Sequence, residues 1–339
     1  MKGQDVSTAV DIVGLGNAIM DVIAPVTDSF LEDFKVERNA MQLIDEARAL
    51  ELTQAFAAQS QPQEISGGSA ANTIAGMAEL GVKTAYLGKV AQDEMGARFK
   101  AGMNDSGVIF DGVASTASPA TARSLIAVTP NGDRSMNTFL GISTDFGQAD
   151  IDADLISNAR LVYMEGYLFD KDAAKAAYVK ASELAKTAGT KVALTLSDSF
   201  CVGRHRDSFR DLVENHVDIL FANEDELLSL YERTDFDAAL SDAAKARTTA
   251  CITRGALGSV ILDGSSQFDI KADPVVKLVD TTGAGDQYAA GVLTGYLMDL
   301  DWQTSGQLGS LCAAEVISHY GARPETSVRE LAAQKGLKL

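Results

Sequence analysis

The sequence is short of the residues that build metal centres, disulfides and nucleic-acid surfaces, and each shortage closes a class of function. Cysteine occurs three times, at Cys201, Cys251 and Cys312, far apart and without a Cys-x-x-Cys. That suits no disulfide framework and fits a reducing, cytoplasmic setting. Histidine also occurs three times, at His205, His216 and His319, none at ligand spacing from another. A zinc site or a Ser-His-Asp triad is therefore not expected. Basic residues are outnumbered, 29 Lys and Arg against 47 Asp and Glu, for a formal charge of −18. Nucleic acid and anionic membranes are poor partners for such a chain, although a local basic pocket for a nucleotide is still allowed. No uninterrupted apolar run approaches the roughly 20 residues of a membrane span. Met1 to Val10 carries neither a basic n-region nor a long apolar h-region, so no signal peptide is expected. Repeats and low-complexity linkers are missing too.

What is present is a substantial core. Of 339 residues, 46% are hydrophobic, enough for one large domain or two ordinary ones without metals or disulfides. Val10 to Leu15 reads as a buried strand, and Ile19 to Val26 as extended chain. Asp28 to Ile44 reads as short strands or turns, and Asp45 to Ala58 as helix. Ser66 to Leu80 opens as a loop and becomes helix. Lys83 to Val90 is strand-like and Asp93 to Ser106 helical. Thr121 to Thr129, a turn at Pro130-Asn131-Gly132-Asp133, and Arg134 to Leu140 give a hairpin. That hairpin is expected to join the Asp21–Ile44 strands in a small separate sheet. From Asp152 onward, strand and helix alternate as in a parallel sheet with helices on both faces. The expected division is an α/β body over 1–16, 45–107 and 141–339, and a β-sheet lid over 17–44 and 108–140.

The chemistry gathers in Asp280-Thr281-Thr282-Gly283-Ala284-Gly285-Asp286. A strand-like piece, Val275 to Val279, runs into it, and an Ala- and Leu-rich helix follows. Backbone N–H groups crowded at a helix start, with the helix dipole behind them, suit an anion such as a phosphate in transfer. Asp286 either takes a proton from an attacking hydroxyl or only caps the helix; the heptad leaves both open. Gly14-Leu15-Gly16 is a near miss to a dinucleotide fingerprint, with Ile19 in place of the third glycine and no helix after it. Gly76 to Thr84 fails as a Walker A loop because Val82 stands where lysine must be. Polar residues follow successive strands: Asn17 and Asp21, Ser197 and Asp198, Asn223 and Glu226, Thr253 and Gly255. In a parallel sheet such strand ends line one crevice. Gly67-Gly68-Ser69 with Asn72 reads as a close-approach loop or as a flexible turn with a capping serine. Arg134 reads as a phosphate contact or as a surface arginine. Asn223-Glu224-Asp225-Glu226 reads as a Mg²⁺-ordering pair or as a solvated acidic helix start.

Together these motifs resemble the ribokinase-like (PfkB) family of sugar and nucleoside kinases. Gly67 to Gly81, with Leu87-Gly88-Lys89-Val90 and Asp93-Glu94-Met95-Gly96, is similar to its first signature. Asn223-x-x-Glu226, Thr253-Arg254-Gly255 and the heptad are similar to three further motifs, in the family's order. The resemblance implies a parallel α/β core with a β-sheet lid, and ATP-dependent phosphorylation of a hydroxymethyl group. It implies Asp286 as base and Gly283, Ala284 and Gly285 as anion hole. It implies Asn223 and Glu226 ordering Mg²⁺ through water, with Ser197, Thr253 and Gly255 toward the nucleotide. Gly16 to Asp21 and the Gly-Gly-Ser…Asn72 stretch resemble the adenosine kinase branch most. There Asp21 would hold both ribose hydroxyls, and Asn17, Gly67, Gly68, Asn72 and Arg134 would complete the acceptor site. Tyr167, Leu168, Phe169 and Leu125 are candidates for a base slot. The family also implies a monovalent cation such as K⁺, at Asp280, Thr282 and the Gly321-Ala322-Arg323-Pro324 loop, where Glu325 departs from the usual small residue. The expected activity is an ATP-dependent nucleoside kinase, adenosine first. The alternatives are a kinase of ribose, fructose or 2-keto-3-deoxygluconate, and a non-catalytic nucleotide or sugar sensor. Monomer and homodimer both remain open.

Overall fold

The computed structural model describes residues 10–114, 116 and 118–339. Residues 1–9, at the head of the expected α/β body, and Ser115 and Ala117, inside the expected lid, lie outside the described residues. In chain order the strands are β1 Ile12–Leu15, β2 Ile19–Pro25, β3 Met41–Leu43, β4 Gln63–Gly67, β5 Thr84–Leu87, β6 Val108–Phe110, β7 Ala122–Val128 and β8 Arg134–Phe139. Then come β9 Leu161–Glu165, β10 Lys191–Thr195, β11 Ile219–Asn223, β12 Thr249–Thr253, β13 Ser259–Asp263 and β14 Ser266–Ile270.

Nine of them form one sheet in the order β14-β13-β12-β11-β10-β9-β1-β5-β6. It is parallel from β12 to β6, with β13 and β14 added antiparallel. Alternation along β1 divides the core. Ile12 packs to one side, with Tyr163, Phe221 and Tyr288. Val13 and Leu15 pack to the other, with Val162, Met164 and Leu220. Aspartates supply many of the helix starts. Asp45, Asp93, Asp152, Asp198, Asp235 and Asp301 each accept a main-chain N–H three residues on, at 2.7–2.9 Å. Part of the acidic surplus is thus spent at caps, each worth about 1 kcal/mol of helix stability.

The other five strands form the lid, in the order β3-β8-β7-β2-β4. Its make-up differs from the expected boundaries. β4 belongs to the lid sheet, paired antiparallel with β2, and β6 belongs to the large sheet, paired parallel with β5. Asp28 to Asp33, expected as strand or turn, is a helix capped by Thr27, whose hydroxyl accepts the Phe30 N–H at 3.3 Å. Val275 to Val279, expected as a strand, joins neither sheet. Its Val279 N–H bonds to the Ile317 carbonyl at 2.9 Å, and Val276 and Leu278 are exposed.

Register gives the lid two unlike faces, because directly paired residues point the same way. Asp21, Ser124 and Thr138 share a row; Ile23, Ile126 and Met136 form the next; Arg134 ends the row beyond. Arg134 reaches across to Asp280 of the large domain, so this face looks into the crevice. Val22 and Leu125 lie on the opposite face and pack with Leu52 and Phe56 of the helix Glu46–Gln59.

Candidate active site

The chain leaves β1 toward β5 on one side and returns to β9 on the other. The sheet therefore has a topological switch point between β1 and β9, the usual place for a ligand crevice in an open α/β sheet. Asn17, just past β1, and Glu165, the last residue of β9, meet there. Glu165 Oε1 accepts the Asn17 N–H at 3.3 Å and its side-chain amide at 2.9 Å, while Oε2 accepts the Ala70 N–H at 2.8 Å. Ser143 donates to Asn17 Oδ1 at 3.0 Å. Burial pushes the Glu165 carboxyl up to about 7, against the lowering effect of those donors. Asn17, expected to face a ligand, thus spends both ends of its amide inside the protein.

Ala70 lies in the first turn of the helix Ser69–Glu79, and that turn positions Asp286. Ser69 donates to Asp286 Oδ1 at 2.6 Å and Asn72 to Oδ2 at 3.2 Å. The helix can start this close to β1 because Gly68 is in the left-handed region at φ 99; a Cβ there would lie 2.2 Å from the Asn17 carbonyl oxygen. Asp286 is itself in the first turn of the helix Ala284–Leu297, behind Gly283 at φ 79. The cap reading is not met: Asp286 sits in the first turn, but its carboxylate accepts from Ser69 and Asn72 of another helix and caps no N–H of its own helix among the described residues. Burial pushes its carboxyl up to about 6, and the Ser69 and Asn72 hydrogen bonds oppose that rise. The N–H groups of Gly283 and Gly285 have no partner among the described residues, but the Ala284 N–H bonds to the Thr281 carbonyl at 3.2 Å. Of the three donors expected at this helix start, Gly283 and Gly285 are free among the described residues and Ala284 is not.

Asp21 lies on the inner lid face against Gly67, where a Cβ would come 2.3 Å from its Oδ2. Its carboxylate accepts no hydrogen bond from any described residue. Burial drives it up to about 7, with Arg134 and Arg323 pulling it down and Asp286 pushing it further up. Arg323 stands behind Asn72, donating to Asn72 Oδ1 at 3.5 Å and Ser106 Oγ at 2.9 Å, and to the Ser66 carbonyl. Burial lowers it to about 10 and Asp21 raises it, so it is cationic at neutral pH.

Arg134 is turned onto Asp280 as a nearly buried ion pair, with side-chain exposures of 10% and 6%. Its Nε–H is buried without a partner among the described residues. Asp280 also accepts from Thr282 and from the Gly321 N–H.

Further along the same edge come the ends of β10, β11 and β12. Ser197 sits in the left-handed region at φ 69. Asn223 and Glu226 cap each other. The Asn223 N–H and side-chain amide donate to Glu226 at 3.0 and 2.8 Å, and the Glu226 N–H returns a bond of 2.8 Å. Burial, opposed by the Asn223 N–H and helped by the Asp198 and Asp225 charges, raises the Glu226 carboxyl to about 7. Thr253 ends β12, with its hydroxyl 3.5 Å from the Ala222 carbonyl, and Gly255 follows at φ 54. Among the described residues no three His, Cys, Asp or Glu side chains converge on a metal position. The carboxylates here fit an ion that arrives with nucleotide phosphates and keeps most of its water.

Glu165 and Gln287 belong to this constellation and were not singled out from the sequence; Ser69 was read only as part of a close-approach loop or as a capping serine, and Arg323 only as part of the cation loop. Gln287 donates to the carbonyls of Asn72 and Ala322, at 3.1 and 3.0 Å. The proposed base slot is corrected in part. Leu168 and Phe169 are core residues, Phe169 packing on Tyr178 and Phe209, and Leu125 faces away from the crevice. Tyr167 stays exposed past the end of β9.

The arrangement sets a carboxylate, two free N–H donors and two arginines around one crevice under a lid, which is a site for moving a phosphoryl group onto a hydroxyl. No helix of the described residues is long and apolar enough to cross a membrane. The chain matches the family described as "pfkB family carbohydrate kinase" over residues 36–328. A probable sugar kinase structure from Rhizobium etli is 43% identical, with TM-score 0.89 over 97% of this chain and 99% of that one. The adenosine kinase structure from Sinorhizobium meliloti is 42% identical, with TM-score 0.87 over 96% and 99%. The ATP-dependent ribose-1-phosphate kinase of Halopiger xanaduensis is 32% identical over 281 residues, 79% of this chain and 85% of that one. The chain belongs to the pfkB family of carbohydrate kinases and is a phosphotransferase that acts on an alcohol group.

Proposed function

We propose that the protein is an ATP-dependent nucleoside kinase that phosphorylates the ribose 5′-hydroxyl, with adenosine as first substrate. The observation that carries this reading is Asp21. Both of its carboxylate oxygens lack a donor among the described residues, and they face the crevice, with the charges of Arg134 and Arg323 acting on them. Two adjacent ribose hydroxyls would satisfy them through charge-assisted hydrogen bonds. Ile126 and Met136, on the same lid face, supply apolar surface for a base. The likeness to the Sinorhizobium meliloti adenosine kinase supports the choice within the family.

In this reading Asp286 accepts the proton of the 5′-hydroxyl as its oxygen bonds to the γ-phosphorus and the bond to ADP breaks. The Gly283 and Gly285 N–H groups and the helix dipole stabilise the charge that develops. Arg134 offers its free Nε–H to a phosphate oxygen. Ser197, Asn223, Thr253 and Gly255 lie under the nucleotide. Mg²⁺, carried in with ATP and reached through water by Glu226, would neutralise phosphate charge. The lid excludes water so that phosphate is not lost to hydrolysis.

A sugar or sugar phosphate is the second reading, favoured by the ribose-1-phosphate kinase relative. ADP release measured across nucleosides, ribose, fructose, 2-keto-3-deoxygluconate and ribose 1-phosphate decides between them. Nucleosides, adenosine foremost, are expected to give the highest kcat/KM. A higher value for any sugar or sugar phosphate overturns the nucleoside assignment.

A further inference from the structure

The family resemblance implies a monovalent cation beside the loop that opens the helix Ala284–Leu297, and the residues present do not fit one. A carboxylate offers about four lone-pair directions, and Asp280 uses all of them. Its Oδ1 accepts from the Thr282 N–H at 3.0 Å and the Thr282 hydroxyl at 2.7 Å. Its Oδ2 accepts from the Gly321 N–H at 3.1 Å and from the Arg134 guanidinium. The 321 loop therefore meets Asp280 with a donor, where a cation needs oxygen ligands. Glu325 is largely exposed, and its carboxylate lies 3.8 Å from His319. A potassium ion at Asp280 would find both carboxylate oxygens already taken by donors and would sit against a guanidinium that repels it.

We propose that this protein works without a bound monovalent cation, because Arg134 brings the positive charge to Asp280 from the lid. Arg134, whose Nε–H is offered to phosphate, also positions Asp280 through its Nη1 from β8, so the charge arrives with the lid and not from solvent. Asp280 grips Thr282 twice, and Thr282 precedes Gly283, whose backbone starts the anion-binding turn. Neutralising Asp280 thus steadies the N–H donors that face the phosphate. Arg134 shares the inner lid face with Asp21, so an acceptor held under that face also seats Arg134 against Asp280. The inference rests on phosphoryl transfer at this site and not on which alcohol accepts it.

The test compares potassium chloride with tetramethylammonium chloride at fixed ionic strength, using the full chain. Two readouts are taken, the melting temperature without substrate and the initial rate with ATP and the best acceptor. Equal melting temperatures and equal rates in the two salts are expected for the wild type. A saturable rise in either with potassium overturns the proposal. Arg134→Gln removes the charge. Its rate in tetramethylammonium is expected to fall by about tenfold or more, as misplaced phosphate donors cost, and potassium is expected to restore part of that rate and raise its melting temperature. An unchanged rate for Arg134→Gln in tetramethylammonium, or a loss that potassium leaves untouched in a folded variant, also overturns it. If the variant does not fold, the wild-type titrations decide alone. Failure of the nucleoside reading shows separately, as absent turnover of nucleosides in both salts, and leaves the melting arm intact.

Discussion

The carboxylate of Glu165 ties Asn17, between β1 and β2, to the first turn of the helix that holds Asp286, through the Asn17 amides and the Ala70 N–H. Ser69, the residue before Ala70, carries the 2.6 Å hydrogen bond to Asp286. A buried carboxylate thus stands one step behind the reacting group, at the point where lid and body join.

That placement has a pH signature. Burial raises Glu165 from 4.5 to about 7, so the native state binds its proton more tightly than the unfolded chain does. The stability it contributes is full below pH 4.5 and is lost as pH rises through about 7. The loss is on the order of 3 kcal/mol at most, since each pH unit of difference is worth about 1.4 kcal/mol. Glu165→Gln cannot titrate. Its melting temperature, followed from pH 5 to pH 8, is expected to decline less steeply than that of the wild type, whatever its offset. Parallel declines would remove Glu165 as the source.

Asp286→Asn keeps an acceptor for Ser69 and abolishes the base. Substrates are expected to bind and turnover to fall by at least about 10², as for loss of a general base. Near-normal turnover would leave Asp286 as a structural acceptor that ties the two helices through Ser69 and Asn72. The wild-type kcat/KM is expected to fall below pH about 6, where the carboxyl takes up its proton. Ser69→Ala removes a bond that favours the ionised form and is expected to move that acid limb to higher pH. A limb that stays in place assigns it to another group.

Glu226 has two duties to separate. It caps the helix Glu224–Tyr231 with Asn223, and it is the carboxylate offered to Mg²⁺ through water. Glu226→Gln keeps one acceptor toward Asn223 and loses the charge. Its Mg²⁺ requirement is expected to rise severalfold, while stability changes by no more than about the 1 kcal/mol of a cap. An unchanged Mg²⁺ dependence with lowered stability reduces the pair to capping.

The alternation of strands and helices from Asp152 to Ile270 was legible because each element carries its own period, and several helices start at a capping Asp or Asn such as Asp152, Asp198, Asn223 and Asp235. The polar residues at the strand ends were legible for the same reason. The lid boundary was not. β4 has polar ends and is a strand only because β2 pairs with it, and β6 is three residues long. The site's second layer was also hidden, because its bonds join distant parts of the chain. Glu165 meets Asn17 across 148 residues, Arg134 meets Asp280 across 146, and Asn72 meets Asp286 across 214. Glu165 had a faint signal as a lone carboxylate ending an apolar strand. Arg134 showed only its place after a turn, and what it touches depends on how the lid sheet folds over the body.

Asp21 separates nucleosides from sugars. Its carboxylate has no donor among the described residues, lies against Gly67, and feels the charges of Arg134 and Arg323. If it reads the ribose 2′- and 3′-hydroxyls together, removing one leaves a charged acceptor short of a partner in a closed site. The penalty is about 1–3 kcal/mol per lost bond. For the wild type, 2′-deoxyadenosine is therefore expected to be a clearly poorer substrate than adenosine. In Asp21→Ala that preference is expected to collapse, because the group that senses the hydroxyl is gone. The competing role is structural: Asp21 sits in β2 between Ser124 and Ile65, and its loss could loosen the lid without touching selectivity. The variant would then melt earlier and keep the wild-type preference. Asp21→Asn guards against that outcome, since it preserves the strand and the side-chain shape while removing the charge. It is expected to lose much of the discrimination at nearly wild-type stability. Measuring kcat/KM for both nucleosides on the three proteins decides the matter, and a ratio unmoved by either substitution would defeat the assignment of Asp21 to the ribose.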